Sequence, residues 1–150
     1  MKILILCTGN SCRSQMVEGF LKSYDDTIEV LSAGTEPSSH VHPLAIKVMA
    51  EVGIDISQNQ PKNVEQFVGQ SFDYLISVCA EANLNCPVFK GKVDNRWHIG
   101  FDDPALAKGT DEEVIAVFRR IRDEISEGFS SFYKSLMGGH AGCSSCCGCQ

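Results

Sequence analysis

The fold of this chain is decided by the stretch Ile3-Leu4-Ile5-Leu6-Cys7-Thr8-Gly9-Asn10-Ser11-Cys12-Arg13-Ser14. Its first four residues form an apolar run typical of a buried strand, and a helical pattern follows the stretch. A short loop in that position turns its backbone N–H groups inward, and the helix behind it adds the positive end of its dipole. The loop residues Thr8, Gly9, Asn10, Ser11, Cys12 and Arg13 are therefore predicted to bind a tetrahedral oxyanion.

Cys7 stands at the base of this loop and is the candidate nucleophile. The field that attracts an anion also favours a thiolate, so we expect the pKa of Cys7 to fall from about 8.5 into the range of about 3.5–7.5. Arg13 can hold two oxygens of the anion through its planar guanidinium fork. Ser14 can donate its hydroxyl to the thiolate or to the leaving sulfur. The stretch therefore predicts an oxyanion site with an activated sulfur.

Composition limits the class of protein. The chain has 150 residues, of which 43% are hydrophobic and 21% charged, which is typical of one soluble globular domain. Its formal net charge of −6, without a basic stretch, argues against a nucleic-acid partner. The apolar run at residues 3–6 is too short for a signal peptide or a membrane span. We expect a monomeric protein of the cytoplasm without a membrane partner.

The periodicity of apolar residues predicts strands that alternate with helices. Strands are predicted at residues 2–6, 28–32, 72–78 and 93–99, and helices at 14–24, from Pro43 to Gly53, from Pro61 to about Val68, and from a cap at Thr110 or Asp111 to Leu136. This order predicts an α/β fold, a four-stranded parallel sheet with helices on both faces. We expect one domain over residues 1–137 and a flexible Gly- and Cys-rich tail over residues 138–150.

Three groups of chemically active side chains follow predicted strands. Cys7 ends the first strand, Cys79 follows the third, and Asp102-Asp103-Pro104 follows the fourth. Ligands of parallel sheets bind beyond the carboxyl ends of the strands. We therefore expect these residues to meet at one edge of the sheet.

The oxyanion loop and Asp103-Pro104 resemble the low-molecular-weight protein tyrosine phosphatase superfamily. Within it the chain is most similar to the thioredoxin-coupled arsenate reductases. This similarity rests on Val78-Cys79-Ala80-Glu81-Ala82-Asn83-Leu84-Asn85-Cys86-Pro87, on Gln15-Met16, and on Gly100-Phe101-Asp102-Asp103-Pro104-Ala105. The resemblance covers residues 1 to about 136 and leaves the tail outside.

The resemblance implies a relay of three thiols. Cys7 attacks arsenate, and Asp103, rather than Asp102, protonates the departing oxygen. Cys79 then attacks Cys7, which releases arsenite and leaves a transient Cys7–Cys79 disulfide. Cys86 attacks Cys79, which leaves a Cys79–Cys86 disulfide. The resemblance supplies thioredoxin, an external dithiol, as the reductant, whereas the spacing indicates only that some reductant is needed. No tightly bound cofactor is expected.

The resemblance also points to a cation site. Asn10, Glu18 and Ser32 match positions that help to bind potassium in some of these reductases. The acidic residue expected near position 62 is replaced by Lys62. The ammonium group of Lys62 could take the place of the cation, so the need for potassium stays open.

Two other functions compete with the reductase. A low-molecular-weight protein tyrosine phosphatase should carry an aromatic residue after the Asp-Pro pair, where Ala105 stands, and would not need Cys79 and Cys86. The third function is an arsenite- or metal-binding protein that acts through the tail. The tail thiols could bind zinc, copper(I) or arsenite, could pass electrons to the relay, or could be incidental; they are Cys143, Cys146, Cys147 and Cys149. Cys12 is interpreted either as a packed small residue or as a redox thiol.

Overall fold

The computed structural model of the protein describes residues 1–137. The predicted tail, with Cys143, Cys146, Cys147 and Cys149, lies outside the described residues. In chain order the elements are β1 (Lys2–Cys7), α1 (Arg13–Tyr24), β2 (Glu29–Gly34), α2 (Pro43–Glu51), β3 (Phe72–Ser77), α3 (Ala80–Leu84), β4 (Val93–His98) and α4 (Asp111–Met137), with 3₁₀ turns at Val64–Gln66 and Pro104–Leu106.

The four strands form one parallel sheet in the order β2-β1-β3-β4. β1 lies in the middle of the core, where Leu4 pairs with Leu31 on one side and with Leu75 on the other. The helices α1, α2 and α4 pack together, whereas α3 packs against β1 and β3. The predicted α/β fold is confirmed.

No helix within residues 1–137 is both long and apolar enough to cross a membrane.

The long helix α4 begins with a capping box. The Thr110 hydroxyl accepts a hydrogen bond from the Glu113 N–H, and the Glu113 carboxylate accepts one from the Thr110 N–H. Thr110, rather than Asp111, is therefore the cap. The predicted apolar face of α4 is buried, with Phe118, Ile121, Ile125, Phe129 and Phe132 at its centre. This helix therefore packs its apolar face against the hydrophobic core.

The predicted helix from Pro61 to Val68 is wrong, because only the turn Val64–Gln66 forms there. The Lys62 N–H donates to the Asn10 side chain, and the Lys62 carbonyl accepts from the Gly34 N–H. These two bonds tie the backbone at residue 62 to the oxyanion loop and to β2. A helix that begins at Pro61 would need the Lys62 carbonyl as the acceptor for the Gln66 N–H, and Gly34 occupies that carbonyl instead.

Arg122 joins α2 to α4 from a buried position. Its guanidinium donates to the Val48 carbonyl at 3.0 Å and to the Glu51 carboxylate at 2.8 Å. Arg119, on the exposed surface of α4, donates hydrogen bonds to the same carboxylate. Hydrogen bonds from Arg119 hold the pKa of Glu51 at about 2, with a further contribution from Arg122. The two arginines therefore fix α2, whose first turn abuts the oxyanion loop.

We expect Arg122→Met to lower the free energy of unfolding by about 2 kcal/mol, because the buried Val48 carbonyl loses a charged donor. Urea denaturation at neutral pH measures this loss. The matched control is Arg120→Met on the same helix, since the ion pairs that Arg120 makes within residues 1–137 are with the exposed groups Asp102 and Glu124. That control should change stability by less than about 0.5 kcal/mol. Equal effects of the two substitutions would contradict the conclusion that Arg122 stabilises the packing of α2 against α4.

Candidate active site

The carbonyl groups of the oxyanion loop (residues 7–14) are held outward by the segment that follows β2. The carbonyls of Cys7, Thr8, Gly9 and Ser11 accept hydrogen bonds from the N–H groups of Thr35, Glu36, Ser38 and His42, in that order. A loop whose carbonyls are engaged outside turns its N–H groups toward its own centre, where an anion binds. Gly34 permits this close approach, because a Cβ atom there would collide with the Thr8 carbonyl oxygen.

Asn10 gives the oxyanion loop its bend. It is fully buried and has a φ of 52°, a left-handed conformation that asparagine tolerates better than most residues. Its side chain accepts from the Lys62 N–H and donates to the Ser14 hydroxyl, both at 2.8 Å. The Gln15 side chain donates to the Asn10 carbonyl at 3.0 Å. Because Ser14 accepts from Asn10, its own hydroxyl hydrogen remains to be donated elsewhere.

Arg13 links the oxyanion loop to the segment after β4. Its Nη1 donates to the Phe101 carbonyl at 3.0 Å, and its Nη2 lies 3.4 Å from Asp103 Oδ2. Within residues 1–137 its Nε finds no hydrogen-bond partner although it is buried. A buried donor without a partner is costly, and an oxyanion in the loop would satisfy it. Arg13 therefore retains one donor for a ligand.

The structure separates the two candidate acids. Asp103 lies against Arg13, and its Oδ1 accepts from the Ala105 N–H at 2.9 Å. Asp102 pairs with Arg120 on α4 and leaves 77% of its side chain exposed. Only the Asp103 carboxylate is thus brought to the oxyanion loop.

Cys7 and Cys79 form a buried pair of thiols at the base of the loop. Their side chains are hydrogen-bonded to each other, and the Thr8 hydroxyl lies 3.2 Å from Cys79 Sγ. The hydrogen bond from Cys7 lowers the pKa of Cys79 to about 5, against the effect of burial and with help from Thr8, the Ala82 N–H and the charge of Arg13. The same bond to Cys79, followed by burial, raises the pKa of Cys7.

The expectation of a lowered pKa at Cys7 is therefore wrong for this structure. The positive field of the loop acts on two sulfurs that share one proton, and two adjacent thiolates would repel each other. One thiolate forms and lies at Cys79, where more donors converge. Cys7 keeps its proton and donates it to that thiolate.

The other two described cysteines lie in different surroundings. Burial raises the pKa of Cys12 to about 11, so this residue packs as a neutral thiol. Cys86 is half-buried, donates its S–H to the Pro87 carbonyl at 3.5 Å, and is separated from Cys79 by α3. The structure thus brings together Cys7, Cys79, Arg13 and Asp103, and keeps Cys86 outside that group.

The predicted cation site is filled by side chains of the protein. The buried Glu18 accepts a hydrogen bond from Ser32, and two ammonium groups face it: Lys22 Nζ at 2.6 Å and Lys62 Nζ at 4.0 Å. The Asn10 side-chain oxygen is engaged by the backbone of Lys62. The side-chain oxygens of Asn10, Glu18 and Ser32 are thus all engaged by groups of the protein. Lys22 was not anticipated, although its i,i+4 spacing from Glu18 is a sequence signal for such a pair.

Comparison with known proteins places this site in a family. The family model for low molecular weight phosphotyrosine protein phosphatase matches residues 2–139. The arsenate reductase of Halalkalibacterium halodurans is 49% identical over 131 residues, which cover 87% of this chain and 93% of that protein. The arsenate reductase of Bacillus subtilis is 46% identical with the same coverage.

Solved structures show the same relationship. An arsenate reductase in its reduced state is 35% identical, with a TM-score of 0.74 over 90% of this chain and 98% of its own. A thioredoxin-dependent arsenate reductase of Corynebacterium glutamicum is 26% identical, with a TM-score of 0.65 over 91% of this chain and 60% of its own. The chain belongs to the low molecular weight phosphotyrosine protein phosphatase family, in the branch that contains these arsenate reductases.

We expect Thr8→Val to move the titration of the Cys7–Cys79 pair to higher pH. The pair is protonated below about pH 5 and carries a thiolate above it, and the Thr8 hydroxyl stabilises that thiolate. Thiolate absorbance near 240 nm, followed from pH 4 to pH 9, measures the midpoint. Thr35→Val is the matched control, since the buried Thr35 hydroxyl has no partner among the described residues. A midpoint that stays in place in Thr8→Val would contradict the assigned thiolate.

Proposed function

We propose that this protein reduces arsenate to arsenite through the successive action of Cys7, Cys79 and Cys86. The observation that carries the proposal is the buried contact between the nucleophile Cys7 and a second thiol, Cys79, inside an oxyanion loop. A phosphatase needs a single thiol at this position, because water completes its reaction. The reductase relatives at 46–49% identity support the same chemistry.

The first step forms a bond between sulfur and arsenic. Arsenate enters the oxyanion loop, where the inward N–H groups and the free Arg13 Nε hold its oxygens. Cys7 attacks arsenic and passes its proton along the existing hydrogen bond to the Cys79 thiolate. Asp103, which lies beside Arg13, protonates the departing oxygen so that it leaves as water. The product is an arsenic(V) ester of Cys7.

The second step transfers two electrons to arsenic. Cys79 gives its proton to the solvent and its thiolate attacks Cys7 Sγ, forming a Cys7–Cys79 disulfide. The electron pair of the sulfur–arsenic bond passes to arsenic, which leaves as arsenite. The two thiols are already neighbours, so this step needs little motion of the backbone.

The third step moves the disulfide toward the surface. Cys86 attacks Cys79, frees Cys7 as a thiolate, and leaves a Cys79–Cys86 disulfide. The helix α3 between the two residues rises by about 7.5 Å, whereas the Cα atoms of a disulfide lie about 4.4–6.8 Å apart. The segment Ala80–Asn85 must therefore leave its helical conformation in this step.

An external dithiol must then reduce the Cys79–Cys86 disulfide, and thioredoxin is the proposed reductant. The thioredoxin-dependent reductase of Corynebacterium glutamicum supports this choice. The proposed cycle needs no tightly bound cofactor. It does need a reducing compartment, and we place the protein in the cytoplasm for that reason.

We expect Cys86→Ser to release at most about one arsenite per protein molecule, because the Cys7–Cys79 disulfide then has no resolving thiol. A coupled assay with arsenate and thioredoxin measures turnover, and mass spectrometry of peptides identifies the trapped disulfide. Undiminished turnover by Cys86→Ser would refute the three-thiol relay.

Removal of residues 138–150 is the matched comparison for that experiment. A reductase that acts through Cys7, Cys79 and Cys86 keeps most of its turnover without the tail. Loss of function on this truncation would instead favour a binding protein that acts through the tail thiols, the third function considered above.

We also propose that the protein needs no potassium, because Lys22 and Lys62 already neutralise Glu18. Turnover in potassium chloride and in sodium chloride of equal ionic strength should agree. Lys62→Met removes one ammonium group and should make the activity or the thermal midpoint respond to potassium. A strong rise in wild-type activity on addition of potassium would contradict this proposal.

A further inference from the structure

A small pocket of about 50 Å³ lies over the carboxyl halves of β1, β3 and β4 and reaches to Cys86. Its lining residues are Leu6, Leu75, Ser77, Cys86, Arg96 and Trp97. Arg96 is the one charged residue in this lining. Ser77 ends β3 two residues before Cys79, so the pocket lies between the half-buried Cys86 and the strand that leads to Cys79.

The Arg96 guanidinium lies beside the Cys86 thiol and is itself held in place. It stands 6.0 Å from the centre of the Phe89 ring, at the distance of a cation–π contact. Its backbone belongs to β4, in register with Leu75 of β3. Burial raises the pKa of Cys86, and the hydrogen bond and charge of Arg96 act against that rise.

We propose that Arg96 is a positioning residue for the last thiol exchange: its guanidinium orients the Cys86 sulfur beside β3 and stabilises the thiolate that forms there as Cys86 attacks Cys79. This inference rests on the three-thiol relay proposed above. It assigns a role to a residue that does not touch arsenate or the oxyanion loop and that belongs to none of the motifs of the active site.

The exchange that Arg96 assists is balanced without another reactant. The Cys86 thiol gives its proton to solvent, and the thiolate attacks Cys79 Sγ of the Cys7–Cys79 disulfide. The sulfur–sulfur bond to Cys7 breaks, and Cys7 leaves as a thiolate. One disulfide replaces another, so no net oxidation occurs in this step. Burial favours the neutral form of the Cys86 thiol, whereas a guanidinium beside the sulfur favours its ionised form.

The test is a single turnover with one equivalent of arsenate and no reductant, stopped with acid at successive times. Mass spectrometry of peptides then gives the amounts of the Cys7–Cys79 and Cys79–Cys86 disulfides. Arg96→Met removes the charge but keeps an apolar chain against Phe89, and Arg96 is exposed, so the fold is not at risk. Lys92→Met is the matched control, an 84% exposed cation just before β4.

We expect the release of arsenite to be unchanged in Arg96→Met and the Cys79–Cys86 disulfide to form about threefold more slowly at pH 7. Removal of the positive charge lowers the fraction of Cys86 that is ionised, and the greater basicity of the remaining thiolate offsets part of that loss. The deficit should be lost as pH rises, because Cys86 is then ionised in both proteins and the more basic sulfur of Arg96→Met reacts at least as fast as that of the wild type. Lys92→Met should follow the wild type throughout.

Two different failures can be told apart in this experiment. A wild-type protein that releases no arsenite, or never forms the Cys79–Cys86 disulfide, overturns the proposed relay itself. A wild type that completes the relay while Arg96→Met exchanges at the same rate at pH 7 overturns only the role of Arg96. A slower rate in Arg96→Met that persists unchanged at high pH also overturns it, because a packing defect would have that signature.

Discussion

The outward anchoring of the loop carbonyls is the constraint on which the rest of the site depends. A loop of this length can turn either its carbonyls or its N–H groups inward, and only the second choice attracts an oxyanion. Four N–H groups of residues 35–42 engage the carbonyls from outside, while Gly34 leaves room for the contact. The left-handed Asn10 closes the bend and ties it to Lys62. The apolar strand β1 holds this assembly in the core, so the anion site is built before any ligand arrives.

The same field has a second consequence, because it acts on two sulfurs. In a site with one thiol, the loop would hold a thiolate on the nucleophile. Here Cys79 is close enough to take the negative charge, and Cys7 becomes its hydrogen-bond donor. The proton that must leave Cys7 therefore already points at its acceptor. The resolving thiol thus assists the nucleophile before it attacks it, and Arg13 balances the single charge of the pair.

The strands, the long helices and the members of the active site could be predicted from the sequence, because each has a local signature. The alternation of apolar runs predicts the sheet, and the spacing of Cys7 and Arg13 predicts the loop. Other features depend on contacts between distant residues and carry no such signature. The predicted helix at residues 61–68 does not form, because the backbone of Lys62 is hydrogen-bonded to Asn10 and Gly34. The thiolate lies at Cys79 because of its hydrogen bond with Cys7, 72 positions away. Arg96 lies beside Cys86 because β4 pairs with β3.

The distribution of stability explains how one scaffold can hold an anion and also move a thiol. β1 is buried, and the carbonyls of the oxyanion loop are hydrogen-bonded from outside, as catalysis by preorganised donors requires. The segment from Cys79 to Val88 has the opposite character: α3 is only five residues long, and the side chains of Leu84 and Val88 are 81% and 88% exposed. A helix of this length has little stability of its own, so it can unfold at small cost. Cys79 lies at the start of this segment, next to β3, and Cys86 lies beyond the short helix α3. The disulfide can therefore move toward the surface while the anion site keeps its shape.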